Sequence, residues 1–500
     1  MPSMGKGVLT TSQVNRTATA ASVWGLKTLL SLRRTMAVSS LIALLILLAS
    51  PLRSSAAEQL AVDLLSRVGA SEKICQLIGE TDWETGRPTA AKTLSSFGLD
   101  GADLGYPVEN RGKLLLLFGD SWPPPHGGGA AGEIPPDDAV GATLRKDPPA
   151  RDGGCLDLQI HDTGQQKRLF APAKMVGPTP VKQGFFNVPS GGVSVGKQLY
   201  GFFWTDHCSH PNPLGPLPES PLARPAPTQK CPETDGSNSV GRAVLASSDD
   251  EGHTFNHAVS MPVGFVYSIA VNAEQESDLP PNQRLGVFVF GVPRYRASAP
   301  YLAYAPPGSL ADISTWRFFV GLSADGAPQW ATREEWSKGA APGDTAPDLA
   351  RWRPPGEPEI TAPSSDAGRC IGELSVTRNR PLGAWLMLYN CPGGIEARIA
   401  PAPWGPWSPP TNILGSNDDV ACRLVMTPAG CGDRRDFWPD GHVNGKFVAG
   451  GFYAPYVLNR YSAAGETNGA SRSATIYWLV SSWNPYEVTV MRTTLQRKLN

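Results

Sequence analysis

The stretch Asp100–Trp122, DGADLGYPVENRGKLLLLFGDSW, decides how the rest of the chain is read. Asn110-Arg111-Gly112 is a turn signal, and the apolar run Leu114–Phe118 follows it directly. Turn residues followed by a short apolar run read as strand, turn, buried strand. Asp103 and Asp120 then fall near the strand ends, beside Gly101, Gly105 and Gly119, where the backbone can pass closely. Carboxylates at the mouth of a β scaffold suit acid/base chemistry on a sugar. Each Asp would serve as well by capping a turn.

Working outward, strand-like runs recur along the chain, among them Gln198–Trp204, Ala243–Ser247, Leu285–Phe290, Ala384–Tyr389 and Thr475–Ser481. The 53 Gly and 48 Pro are spread through the chain rather than gathered in a linker, which fits many short strands joined by turns. Long loops or insertions are expected at residues 123–152, 211–235 and 339–367. Helical periodicity stands out only at Leu60–Ile78, with Leu60, Val62, Leu64, Leu65 and Val68 as its apolar set. Arg242–Val259, Pro300–Phe319 and Gly394–Ile413 are three loose copies of one unit, as four-stranded propeller blades would give. The fold expected is therefore all-β, a β-propeller with long loop insertions and a short N-terminal helical segment.

The first 57 residues read as a targeting segment. Arg33 and Arg34 precede the apolar run Met36–Leu48, and Ser54-Ser55-Ala56-Ala57 supplies small residues for cleavage. A retained anchor is the alternative. Residues 58–97 form a partly helical lead-in, and residues 98–496 the propeller domain. The formal net charge is −1; without the six basic residues of the first 57, 38 basic face 45 acidic side chains, a net charge of −7. An acidic exported chain has no electrostatic reason to bind nucleic acid. A secreted or periplasmic location is expected, with no stable membrane association once the signal is cleaved. All eight Cys follow the signal, an even number that points to disulfides. Cys208–Cys231, Cys422–Cys431 and Cys370–Cys391 are the natural local pairs. His207-Cys208 with His210 lacks a CxxC partner and does not make a zinc site.

Several strand ends carry polar side chains. Asn187 and Ser190 lie in FNVPSGG, Asp206 beside His207 ends an apolar run, and Arg294 and Arg296 follow another. Each of these has a plain loop or turn reading beside the functional one. Glu373 opens a strand between apolar neighbours, where a carboxyl can keep its proton as a general acid must. Trp122, Trp204, Trp385 and Trp483 stand beside strand ends, where flat rings can stack on sugar rings or simply pack the blades.

Ser248-Asp249-Asp250-Glu251-Gly252-His253-Thr254-Phe255 fits S-x-D-x-G-x-T-F and resembles the Asp-box of sialidase-type propellers. The resemblance makes Asp250 a fold marker rather than a catalytic part. More broadly, GADLG, LLLLFGDSW, FNVPSGG, VPRYRASAPYLAYAP, GELSV, GGFYAPYVLNRY and TIYWLVSSWNPYEVTVMR resemble, in that order, a secreted bacterial family catalogued as a domain of unknown function. Some of its members act as endo-D-arabinanases on cell-wall arabinan. The resemblance implies a five-bladed propeller, similar to arabinanase- and levanase-type glycosidases, acting on a furanose-rich polysaccharide. It implies catalytic roles for Asp103 as base or nucleophile, Glu373 as proton donor and Asp120 as charge partner. Asn187, Asp206, Arg294, Trp122 and Tyr453 would bind substrate. No cofactor is expected, and a metal ion on the propeller axis stays open. The rival readings are a non-catalytic glycan-binding propeller and a sialidase-like enzyme. The second would need an arginine cluster beyond Arg294 and Arg296.

Overall fold

The stretch around Asp103 is a β-hairpin: Gly101–Asn110 pairs antiparallel with Lys113–Trp122, turning at Arg111-Gly112. It is the inner half of the first of the five four- or five-stranded sheets, beside which a two-stranded sheet pairs His442–Val443 with Lys446–Phe447. The computed structural model describes residues 63–122, 138–151, 154–161, 174–175, 187–206, 240–280, 282–293, 296, 298–338, 352–356, 370–425, 442–443, 446–447, 450–483 and 485–499. The targeting segment and Arg294 therefore lie outside the described residues, as do Cys208, Cys231 and Cys431.

Blade 1 continues from the hairpin through Val140–Thr143 to Gln159–Ile160. Blade 2 runs from Asn187–Val195 through Gln198–Asp206 and Val240–Ser248 to Thr254–Ser260, with Lys174–Met175 parallel at its outer edge. Blade 3 runs from Tyr267–Asn272 through Val287–Val292, Tyr301–Ala305 and Arg317–Leu322 to Pro328–Ala331. Blade 4 takes Leu374–Asn379, Ala384–Cys391, Gly394–Ala400 and Thr411–Gly415. Blade 5 takes Gly451–Val457, Ser471–Trp483 and Glu487–Lys498, then closes with Leu64–Gln76 from the other end of the chain. The first strand of each blade touches the first strand of the next, and blade 5 touches blade 1, so the ring is complete. This is a five-bladed β-propeller, as the family resemblance implies.

The helical reading of Leu60–Ile78 does not hold. Residues 64–76 are a strand paired with Glu487–Lys498, bulged between Val68 and Glu72 and again between Lys73 and Cys75. The apolar set that suggests a helix is not one buried face: Leu64 and Val68 are nearly half exposed. A sheet edge left open by the last strand outbids a weak local preference, because pairing there satisfies every second backbone group and closes the ring. Among the described residues of the lead-in, the only helical turn is Thr93–Phe97. A covalent tie reinforces the closure: Cys75, on the closing strand, is bonded to Cys155 of blade 1. Sequence spacing did not suggest this pair. The expected Cys370–Cys391 bond is present and joins the first two strands of blade 4. Cys422 is disulfide-bonded as well. These bonds fit an oxidising compartment. Among the described residues no helix is long and apolar enough to cross a membrane.

The three loose sequence copies occupy equivalent places, the third and fourth strands of blades 2, 3 and 4. The Asp-box is the turn between those strands in blade 2. Ser248 Oγ donates to Asp250 Oδ1 at 2.7 Å, and the same Asp oxygen accepts from the Thr254 amide at 2.9 Å. Gly252, at φ +94°, donates its amide to Ser248 Oγ, and Phe255 is fully buried beneath. Blade 3 repeats the device without the full motif: the Ser323 hydroxyl donates to Asp325 and accepts from the Ala327 amide.

Candidate active site

The first strands of the blades run the same way, so their N-terminal ends share one mouth of the propeller. Asp103 in blade 1, Glu373 at the entry to blade 4 and Tyr453 in blade 5 stand there. Both carboxyl residues are buried, Asp103 at 7% and Glu373 at 3% exposure. Tyr453 donates its hydroxyl to Asp103 Oδ2 at 2.8 Å. Asp120 flanks Asp103 from the adjacent strand, and Tyr486, between the last two strands of blade 5, completes the surround.

Backbone irregularity aims these side chains. The strand bearing Asp103 is bulged between Gly101 and Asp103 and again between Leu104 and Tyr106. That bearing Tyr453 is bulged between Tyr453 and Tyr456. Directly after each site residue comes a buried non-glycine residue with left-handed backbone, Leu104 at φ +60° and Ala454 at φ +53°. Asp120 itself sits at φ +34°. Such conformations cost on the order of 1–3 kcal/mol each and gather where a side chain must be re-aimed. Gly119, the ladder partner of Asp103, has no side chain for a reason: a Cβ there would stand 2.7 Å from Asp103 Oδ1.

Burial, with the charge of Asp120 added, pushes the Asp103 carboxyl well above the usual carboxylate range; Glu373 adds to the push. Hydrogen bonds from Tyr486 and Tyr453 act against it and do not prevail. Burial and the Asp103 charge raise both tyrosine hydroxyls well above their ordinary value, so they remain donors. Glu373 has a different neighbour. The Arg296 guanidinium lies 3.4 Å from its Oε1 and 5.8 Å from the centre of the Tyr453 ring. Arg296 is held across blades 3 and 4 by its amide bond to the Ile371 carbonyl, and a Cβ at Gly372 would meet its stem at 2.9 Å. Asp103 thus faces acids and hydroxyls, while Glu373, which also acts on Asp103, Tyr453 and Tyr456, has a guanidinium beside it.

Of the expected binding residues, Tyr453 is in this cluster. Asn187 begins the inner strand of blade 2, Asp206 ends the next strand and Trp122 ends the second strand of blade 1; the described structure fixes their backbones only. Trp204 packs edge-on against Tyr267 and Trp385 against Phe288, both as blade packing. Ser190 is wholly buried and bonds the Ser268 carbonyl of blade 3 at 2.8 Å, a structural link. Sequence reasoning missed Tyr486, which lies in a turn with no signal beyond its aromatic character. Among the described residues no three His, Cys, Asp or Glu side chains converge as a metal ion would require.

Fold and site together define a five-bladed propeller with a buried carboxyl pair at one axial mouth. Residues 236–492 match the family model described as Domain of unknown function (DUF4185), and the chain belongs to that family. The match takes in Glu373, Tyr453 and Tyr486, while Asp103 and Asp120 precede it. No curated protein matches the chain in sequence. Among solved structures it is similar to a protein of unknown function from Dyadobacter fermentans. That likeness is 9% identical, covers 86% of this chain and 100% of the other, and has a TM-score of 0.34. It is also similar to a family 117 glycoside hydrolase produced by the marine bacterium Zobellia galactanivorans, 11% identical over 86% of this chain and 90% of the other, TM-score 0.31. The fold assignment rests on the sheet topology above, not on these distant likenesses.

Proposed function

We propose that the chain is an exported glycoside hydrolase that cuts within a furanose-rich polysaccharide, with Asp103 and Glu373 as its two carboxyls. The observation that carries this reading is their unlike surroundings on inner strands of the same propeller mouth. A glycosidase needs one carboxyl that keeps its proton and one that stays charged. Burial and the neighbouring Asp120 raise the Asp103 carboxyl well above the usual carboxylate range, toward the protonated form. Glu373 has the Arg296 guanidinium 3.4 Å from its Oε1. On this reading Asp103 is the proton donor and Glu373 the base or nucleophile, the reverse of the roles that the resemblance implies. Asp120 raises the proton affinity of Asp103, and Tyr453 and Tyr486 orient it. The furanose-rich substrate, arabinan first, rests on the sequence resemblance alone.

The test begins with residues 58–500 incubated with arabinans, fructans and bacterial cell-wall polysaccharides, alongside Asp103→Asn and Glu373→Gln. Oligosaccharide release that both variants abolish is expected. An activated aryl arabinofuranoside then separates the roles, since a good leaving group needs no protonation. Asp103→Asn should retain much of the activity on it, and Glu373→Gln little. Retention by Glu373→Gln instead would restore the opposite roles. Saturable binding of a glycan without any release would mark a binding module.

A further inference from the structure

The far ends of the five inner strands enclose a second space. It is a cavity of about 430 Å³, lined from all five blades. A tyrosine layer separates it from the carboxyl cluster. Tyr267 and Tyr456 share a hydroxyl–hydroxyl hydrogen bond, and Tyr106 packs edge-on against Tyr456 at 5.0 Å. Tyr106 is also part of the cavity wall. Glu109 on the cavity rim is six positions along the strand from Asp103, so the two spaces lie on the order of 15–20 Å apart.

The charges of this cavity are balanced. Glu109 of blade 1 pairs with Arg460, just after the first strand of blade 5, and Glu274, just after the first strand of blade 3, pairs at 2.9 Å with Arg380, just after the first strand of blade 4. Two acids and two bases leave no net field to attract an ion. Between the pairs stand neutral groups, Ser194, Asn272, Thr377 and Asn459. Asn272 is held by its bond to the Ser194 carbonyl, and Asn459 by its bond to the Arg378 carbonyl. The inner wall is aliphatic, from Val108, Val193, Val271, Val376 and Val457. An aliphatic wall with a rim of paired guanidinium, carboxylate, amide and hydroxyl groups suits a compact, uncharged molecule with one apolar face and many hydroxyls. The volume lies within the range of small-ligand sites.

We propose that this cavity is a second ligand site, for a neutral carbohydrate of one or two rings. It is separate from the carboxyl mouth and stands whether or not that mouth is catalytic. Bound there, a sugar would set its C–H face on the valines and its hydroxyls against the two ion pairs. Because all five blades contribute, occupancy would also tie the ring together.

Calorimetric titration of residues 58–500 with D-arabinose, D-glucose and myo-inositol tests this, with glucuronate and inorganic phosphate as charged probes. At least one neutral probe should bind saturably, and the charged ones should not. Arg380→Ala, whose side chain is largely exposed, should weaken that binding about tenfold or more. Asn272→Trp, filling the rim, should abolish it. Tyr453→Ala, at the other mouth, should leave it unchanged. Loss of binding in Tyr453→Ala with none in Arg380→Ala would overturn the proposal by placing the sugar at the carboxyl mouth. Binding of the charged probes alone, or of no neutral probe, would overturn it equally.

Discussion

Tyr453 donates a 2.8 Å hydrogen bond to Asp103 across 350 residues of sequence, and each is followed by a buried residue at positive φ. Blade 5 and blade 1 are neighbours only because the ring closes. The bond therefore reports both the closure of the fold and the aim of the site. The matching backbone irregularities, Leu104 after Asp103 and Ala454 after Tyr453, turn the two side chains toward each other.

Tyr453→Phe removes one donor to the Asp103 carboxylate and nothing else. The bond favours the charged form, so its loss raises the Asp103 pKa further. We expect kcat/KM on the hydrolysed glycan to fall about 10–100-fold, and the limb of the pH profile that depends on Asp103 to move to higher pH. A pH–rate profile identical to wild type would detach Tyr453 from the chemistry.

Asp103→Asn should stabilise the fold while removing activity. Asp103 has a folded pKa above its unfolded one, so the folded state binds the proton more tightly. That contribution is fully present below the unfolded value, about 3.9, and is lost as pH rises through the raised folded value. Asn is uncharged throughout. The variant should match wild type in acid and exceed it by roughly 1–3 kcal/mol at neutral and higher pH. Thermal unfolding from about pH 4 to about pH 9 measures this, and parallel curves for the two proteins would contradict it.

The Cys75–Cys155 bond closes a loop of 80 residues between the closing strand and blade 1. Replacing both with Ser should cost about 4 kcal/mol, read as a fall in the urea midpoint. Reducing agent should lower the wild-type midpoint and leave that of a double variant less affected. An unchanged midpoint would mean that strand pairing alone holds the ring.

Asp250→Ala should separate fold marker from catalyst. It removes the acceptor of two bonds in the blade 2 turn and is expected to cost about 1–2 kcal/mol of stability. Activity per folded molecule should stay at the wild-type level. A large loss of kcat without a loss of stability would move the Asp-box into the site.

By itself the sequence determined the all-β class, the Asp103–Asp120 hairpin, the Asp-box turn and the equivalent outer strands of blades 2 to 4; it offered the Cys370–Cys391 bond as one local pairing without fixing it. These are local: turn chemistry, alternation and short-range pairing act within a few tens of residues. It also marked Asp103 and Glu373, because acids beside glycines at strand starts are legible one strand at a time; Tyr453 came only with the family resemblance. Tertiary structure alone decided that Leu64–Gln76 is a strand, since its partner lies at the opposite end of the chain. It alone brought Tyr486 and Arg296 to the two carboxyls, bonded Cys75 to Cys155 and gave the carboxyls opposite surroundings. Burial and the charge of a neighbour are properties of the closed ring, and no stretch of chain carries them before the ring forms.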